Sequence, residues 1–336
     1  MSGKVVCFGE LLLRLTAPGR ELIMQSPRFD VHVGGAEANV AVGLARLGHA
    51  AAMVSRVPDN PLGEAANGHL RRYGVDCSDL TAAPGRMGLY FLSAGAGLRP
   101  SSIVYDREGS SFALAEAKDF DWDLLLEGAD ILHLSGVTPA LGMNSAAAAM
   151  AAAEAAGAKG VKVSFDGNYR AQLWSRWASD PRKILTGLVA QADILFGNHR
   201  DISLLLGREF DGDGEERRRE AALAAFDAFP QLRFIASTAR HLDDADRHRI
   251  AARIDTRDAA HVTKEVTVSG IVDRIGAGDA FAAGVLHGLL TGCDMDATVH
   301  YGLALACLKH SLPGDASLFG QVDIDAFLAG EFDVRR

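Results

Sequence analysis

"DILHLSGVTPALGMNSAAAAMAAAEAAGAKGVKVSFDGN", running from Asp130 to Asn168, is the stretch whose reading decides the fold. It opens on a short apolar run, Asp130 to Gly136, and closes on another, Val161 to Asn168. Each is too short for a helix and is bounded by glycine, so each reads as a strand. The alanine-rich segment between them reads as a helix that starts near Asn144 and stops at Gly157. Strand, helix and strand in one span form a βαβ unit, whose strands are parallel. Strands that alternate with helices in this way imply a parallel sheet with helices covering both faces.

The same rhythm continues downstream. "ADILFGN" (Ala192 to Asn198) and "LRFIAST" (Leu232 to Thr238) read as buried strands. Helices are expected near Pro181 to Gln191 and over "GEERRREAALAAFDAF". Ligands of such sheets sit beyond the carboxyl ends of the strands, where "SFDGNYR" and "LFGNHRD" fall. Two stretches break the rhythm: "GLYFLSAG" (Gly88 to Gly95) and "SSIVYDREG" (Ser101 to Gly109) follow one another with no helix between. They read as an antiparallel hairpin attached to the sheet as a lid. No boundary has the composition of a linker, so residues 1–336 are read as one domain, with lid strands near 10–33 and 86–112.

Composition narrows the function. The chain has 336 residues, 48% of them apolar, and a net charge of −9. That charge argues against nucleic acid as a partner, because phosphate backbones require a basic surface. No uncharged run is long enough to span a membrane. Cys7, Cys77, Cys293 and Cys307 show no metal or redox spacing. With a strand-like "KVVCFGE" beginning at Lys4 and no room for a leader before it, the expectation is a cytoplasmic protein. A G-x-x-x-x-G-K-[ST] phosphate loop, H-E-x-x-H and G-x-S-x-G are absent, and "GAGDAF" lacks the last glycine of a dinucleotide fingerprint.

"IGAGDAFAAG", Ile275 to Gly284, carries the chemistry. Apolar residues at Phe281, Val285, Leu286, Leu289 and Leu290 form a helical stripe, Gly284 and Gly288 a small face, and Gly292 a stop. Gly276, Ala277 and Gly278 then form the turn into a helix whose first amides lack partners, which is an anion site. Asp279 beside that site fits a general base, taking a proton from a hydroxyl that attacks a bound phosphorus. An aspartate that merely caps the helix would look the same from this stretch alone.

Three ordered segments add to this: "VGGAEANVAVGLARLG" (Val33 to Gly48), "RVPDNPLGEAANGHLRRYGVD" (Arg56 to Asp76) and "VDRIGAGDAFAAG" (Val272 to Gly284). Together they resemble the ribokinase-like, or PfkB, carbohydrate kinases over nearly the whole chain. The resemblance implies a three-layer α/β/α sandwich with a mostly parallel sheet and a small β-strand lid. "GLYF", "VYDREGS", "LHLSGVTPAL" and "FDGNYRAQLW" resemble the branch acting on 2-keto-3-deoxy sugar acids. It implies that Gly34, Gly35 and Asn39 line a sugar pocket reached from the lid by Tyr90, Tyr105 and Arg107. Arg170 would lie between sugar and nucleotide, and Asp315 of "LPGD" close to the substrate. Asn168, Asn198, Thr238, Arg240, Gly276 and Gly278 would serve ATP, with Asp201 toward Mg²⁺. A lid arginine suits a substrate carboxylate, and the tyrosines suit a sugar with both polar and deoxy carbons.

Three positions depart from the family pattern. Asp273-Arg274-Ile275 stands where Asp-Thr or Asp-Pro is usual before GAGD, and Asp201 replaces the glutamate of N-x-x-E. The strand ending at Thr238 lacks the glycine turn expected after it, which leaves Thr238 and Arg240 to supply side-chain contacts to phosphate. The resulting expectation is an ATP- and Mg²⁺-dependent kinase that phosphorylates the terminal hydroxyl of a small sugar acid, 2-keto-3-deoxygluconate first. A kinase of a neutral sugar and a non-catalytic sugar-binding relative are the alternatives. A lid with free strand edges suggests a homodimer formed through the lid.

Overall fold

The computed structural model describes residues 3–212 and 214–331. Its large sheet runs β13 (Ala260–Val262), β12 (Arg247–Asp255), β11 (Phe234–Asp244), β10 (Ile194–Phe196), β9 (Lys162–Asp166), β8 (Ile131–Ser135), β1 (Lys4–Phe8), β4 (Ala50–Pro58) and β5 (Leu80–Ala83). β14 (Val266–Ser269) also pairs with β12. From β11 to β5 every pairing is parallel, and antiparallel pairing is confined to the β12 side. The βαβ reading therefore holds, and its strands are buried on both faces, as parallel strands must be.

Helices cover the two faces. α1 (Ala36–Arg46), α10 (Ala277–Thr291) and α11 (Met295–Lys309) pack on the face that takes Val5 and Cys7 of β1. α5 (Met143–Lys159), α7 (Pro181–Val189) and α9 (Glu215–Ala228) pack on the face that takes Val6 and Phe8. α2 (Pro61–Arg72), α3 (Ser111–Leu114), α4 (Trp122–Leu125), α6 (Ala171–Trp174), α8 (His199–Leu206) and α12 (Gln321–Ala329) complete the helices. The small face of α10 does seat α11: a Cβ on Gly284 would lie 2.6 Å from the Tyr301 carbonyl oxygen. The helix ends at Gly292, whose φ of 73° closes it in the left-handed region.

Two sequence boundaries moved. Gly157 does not stop α5, which runs on to Lys159 and closes at Gly160 with φ 71°. A single glycine weakens a helix but ends it only where the left-handed conformation is taken. More consequentially, the segment after Thr238 is not a loop. β11 continues to Asp244 and turns directly into β12, pairing antiparallel from Ile235↔Asp255 outward. The partner strand holds this segment extended: Ala239, Arg240, His241 and Leu242 pair with Ala251, Ile250, Arg249 and His248.

A second sheet forms the lid, in the order β3 (Asp30–Gly34), β2 (Leu12–Thr16), β6 (Gly88–Ser93) and β7 (Ser102–Asp106). β6 and β7 make the expected hairpin, and β2 pairs parallel to β6. One cross-strand row on a single face reads His32, Arg14, Tyr90 and Tyr105. That row aims at the site.

Candidate active site

The chain leaves β1 toward β4 and β5 on one side, while β8 to β11 build the other, so the order switches between β1 and β8. Such a switch opens a crevice at the carboxyl ends of the strands. Lid strands β2 and β3 bracket it, because β2 follows β1 directly and β3 leads through Gly34 and Gly35 into α1. Gly35 sits at φ 145°, and a Cβ there would lie 2.4 Å from the Glu10 carbonyl oxygen. A Cβ on Gly34 would lie 2.3 Å from Asp315 Oδ2. The two glycines are thus required by close neighbours within the protein.

α10 opens at Gly276, with φ 79°, and a Cβ there would sit 1.6 Å from the backbone oxygen of Asp315. Gly278 has open space where its Cβ would be. The two glycines therefore differ: Gly276 lets the turn pack, and Gly278 leaves open space beside the helix start. Ala277 N reaches back to Arg274 O, and the first i→i−4 bond is Ala280 N to Gly276 O. The amides of Gly278 and Asp279 are left pointing out of the helix start, where its dipole favours an anion.

Asp279 takes a hydrogen bond from Asn39 Nδ2 at Oδ2, 2.7 Å away. Burial pushes its carboxyl up to about 7, and the charges of Asp315 and Glu37 push the same way, while the Asn39 bond and Arg170 oppose them. The aspartate caps no amide of its own helix. A carboxyl held near neutrality beside an anion site suits proton transfer.

The lid row meets this turn. Tyr90 donates its hydroxyl to Asp315 Oδ2 at 2.7 Å, and Arg14 Nη1 lies 2.8 Å from Asp315 Oδ1. Asp315, expected close to the substrate, is 3% exposed, with Oδ2 hydrogen-bonded by Tyr90 and Oδ1 within ion-pair distance of Arg14. Tyr105 stays half-buried with its ring 6.3 Å from that of Tyr90. Arg107 was expected to reach a substrate from the lid. Its side chain is buried and ion-paired to Glu10 through Nε, since an interior guanidinium requires a counter-charge. Glu37, fully buried at the start of α1, accepts from Ser135 N, Ser135 Oγ and Thr138 Oγ1.

On the other side of Asp279 two adjoining cavities of about 720 and 650 Å³ open to solvent. Asn198, Thr238, Arg240 and Gly278 line both; Asn168, Arg170, Asp166 and Asp201 line the second. Thr238 and Arg240 reach this space from the middle of β11, paired with Ala252 and Ile250. Arg240 has no ion pair among the described residues, and Arg170 bonds only the Tyr169 carbonyl. In a chain of net charge −9, these arginines supply a local positive surface.

Asn198 caps α8: its Oδ1 accepts from Arg200 N, while Asp201 Oδ2 accepts from Asn198 N at 2.8 Å. One oxygen of the expected metal residue is thus engaged in helix capping. No cluster of three or more His, Cys, Asp or Glu that could hold a metal occurs among the described residues. Asp201 nonetheless neighbours Asp166, whose carboxyl is pushed up to about 8 by burial and then by Asp279 and Asp201. Mg²⁺ keeps several waters and uses one or two carboxylates plus substrate phosphate, so this pair fits it without a protein cage.

Asp166, Arg14 and Glu10 were missed by reading the sequence. Asp166 had a usable signal, lying in "SFDGN" at a strand's carboxyl end. Arg14 and Glu10 had none, because each acts through a partner far away in the chain.

Comparison with known proteins places this geometry. The model described as "pfkB family carbohydrate kinase" matches residues 2–239 and 251–318. A 2-dehydro-3-deoxygalactonokinase of Haloferax volcanii is 32% identical over 98% of both chains. A 5-dehydro-2-deoxygluconokinase of Shouchella clausii is 29% identical, covering 91% of this chain and 90% of its own. The crystal structure of 2-dehydro-3-deoxygluconokinase from Thermotoga maritima superposes with a TM-score of 0.93 at 37% identity, covering 98% of this chain and 99% of that one.

Proposed function

The chain belongs to the pfkB family of carbohydrate kinases, and on that premise we propose that it transfers the γ-phosphate of ATP to the terminal hydroxyl of a 2-keto-3-deoxy sugar acid. It is a sugar kinase, an ATP-dependent phosphotransferase. The observation that carries the mechanism is the Asn39–Asp279 bond, which fixes Asp279 beside the open amide of Gly278. Asn39 holds Oδ2, so Oδ1 is the oxygen that takes the substrate's hydroxyl proton. The hydroxyl oxygen attacks the γ-phosphorus in line, the bond from that phosphorus to the β-phosphate oxygen breaks, and the products are a sugar-acid phosphate and ADP. The amides of Gly278 and Asp279 and the dipole of α10 stabilise the charge that builds on the phosphoryl oxygens. Arg240, Thr238 and Asn198 bind the nucleotide from the β11 side, and Arg170 lies between the two substrates. Asp166 and Asp201 would hold Mg²⁺ through its waters; the ion supplies charge neutralisation of the phosphates.

The acid substrate is supported by arginine placement and by the names of the relatives, which 2-keto and 2-dehydro nomenclature share. Arg170 is exposed and, among the described residues, bonds only the Tyr169 carbonyl, so its guanidinium can turn to a substrate carboxylate. ADP release against 2-keto-3-deoxygluconate, its galactonate epimer, 5-keto-2-deoxygluconate, ribose and fructose tests the reading. One of the keto-deoxy acids should have the highest kcat/KM. Turnover of ribose or fructose alone would replace this substrate with a neutral one, and no turnover would favour a non-catalytic relative.

The outer lid face completes the reading. Val31 and Val104 are 58% and 52% exposed there, beside Phe91 and Leu15 in the same cross-strand row. A second copy of the chain covering that face makes a homodimer. Sedimentation should give a dimer that Val104→Glu converts to monomer. A cytoplasmic location agrees with four free cysteines, three of them buried.

A further inference from the structure

We infer that Arg14, on lid strand β2, is a positioning residue that ties the lid to the catalytic turn through Asp273 and Asp315. The inference rests on the reading of Asp279 as the base. Arg14 is 1% exposed, among the largest fully buried side chains, yet it comes from the lid and not from the core. Its Nη2 donates to Asp273 Oδ2 at 2.6 Å, and its Nη1 lies 2.8 Å from Asp315 Oδ1. The second contact is ionic in distance without hydrogen-bond alignment, and Arg14 Nε has no partner.

Both carboxylates are structural parts of the anion site. Asp273 Oδ1 accepts from Ile275 N at 3.0 Å and Oδ2 from Gly314 N at 3.1 Å, so it pins the entry to the Gly276–Gly278 turn against the 314–315 segment. The Asp315 backbone oxygen is the surface on which Gly276 packs, with no room for a Cβ. Lys309, fully buried, adds a second internal cation bonding Leu312 O at 3.0 Å and Asp273 O at 3.5 Å. Tyr90, the cross-strand neighbour of Arg14, holds the other oxygen of Asp315. Arg14 on β2 therefore holds both the entry to α10 and the 314–315 segment packed against it, and Tyr90 on the adjacent β6 holds the second of these. If the lid lifts, Arg14 leaves Asp273 and Asp315 as buried, unpaired charges and releases the turn. Catalysis by fixed amides depends on their placement to a fraction of an ångström.

The charges around Asp279 are Glu37 on α1, Asp315, Asp166 at the end of β9, Arg170, and Lys309 on α11. Arg14 offsets Asp315 within this set. Removing it exposes Asp279 to more negative charge and moves its titration to higher pH.

The experiment compares wild type, Arg14→Gln and Arg14→Lys by steady-state kinetics and by ¹³C NMR of protein labelled at the aspartate carboxyls. The Asp279 resonance is assigned with Asp279→Asn. Arg14→Gln should lower kcat about 10- to 100-fold with the sugar KM little changed, and should move the Asp279 titration upward. Arg14→Lys should return the titration toward wild type, since charge is restored, while kcat stays low, since one ammonium cannot hold two carboxylates in the geometry of a guanidinium fork. A wild-type kcat and titration in Arg14→Gln overturns the inference, even if its melting temperature falls. Should Arg14→Gln fail to fold, a wild-type kcat in Arg14→Lys overturns it. The titration needs no substrate, so a wild type that phosphorylates no sugar removes the proposed reaction while the NMR result still decides the role of Arg14.

Discussion

The two walls of the proposed nucleotide site are built on opposite principles. One is the Gly276–Asp279 turn, where backbone amides at a helix start are the proposed phosphate ligands and Gly278 leaves open space. The other is the β11–β12 hairpin, where the backbone is committed to a sheet ladder and only side chains, Thr238 and Arg240, face the cavity. The family model matches across the first wall and skips residues 240–250 in the second. A backbone site constrains the sequence tightly, because only certain residues permit the geometry. A side-chain site can be rebuilt wherever a cation reaches the same space.

The contrast breaks first at Asp279. Asp279→Asn should lower kcat about 10³-fold with little change in substrate KM, because the proton acceptor is lost and the fold is not. With the carboxyl pushed up to about 7, wild-type kcat/KM should rise with pH through that value, since only the ionised form accepts a proton. A pH profile flat from 5 to 8 would remove Asp279 from the base role. Within the same turn, Gly276→Ala should destabilise by about 3 kcal/mol or more, as a Cβ meets the Asp315 oxygen at positive φ. Gly278→Ala should melt within about 1 kcal/mol of wild type, yet raise the ATP KM about tenfold by filling the approach to the amide. Equal effects of the two alanines on stability would show that the glycines share one role.

At the hairpin, Arg240→Ala should raise the ATP KM about tenfold and leave stability within about 0.5 kcal/mol, since Arg240 holds no ion pair among the described residues. An unchanged KM would mean that this wall contributes no phosphate contact. A separate effect, on folding alone, lies outside both walls, at the buried pair His49 Nε2···His287 Nδ1, 2.8 Å apart. Burial pushes His49 down to about 4 and lowers His287 as well. The unfolded chain therefore binds more protons below about pH 6.5. Stability from His49 is complete above that pH and falls by about 2–3 kcal/mol as the pH drops toward 4, with His287 acting in the same direction. Urea melts should show this slope in wild type and a shallower one in His287→Asn. That separates acid loss of folding from acid loss of catalysis.

Much of the architecture could be read before any coordinates. The run from Asp130 to Asn168 specified its βαβ unit because periodicity and side-chain shape act locally, and the stripe after Asp279 specified α10 in the same way. The boundary at Gly157 misled because residue identity does not fix φ; Gly160, not Gly157, takes the left-handed turn. The segment after Thr238 misled because an extended charged strand and a loop look alike until a partner strand is present.

By itself, then, the sequence determined the alternating layers, the lid hairpin and a glycine turn opening onto an aspartate, all of which follow from neighbours within a few residues. Tertiary structure alone decided how those pieces work together. Asn39 meets Asp279 across 240 positions, Tyr90 meets Asp315 across 225, and Arg14 meets Asp273 across 259. No local pattern encodes such pairs. They form because charges and hydroxyls carried inward by separate elements must find partners once water is excluded.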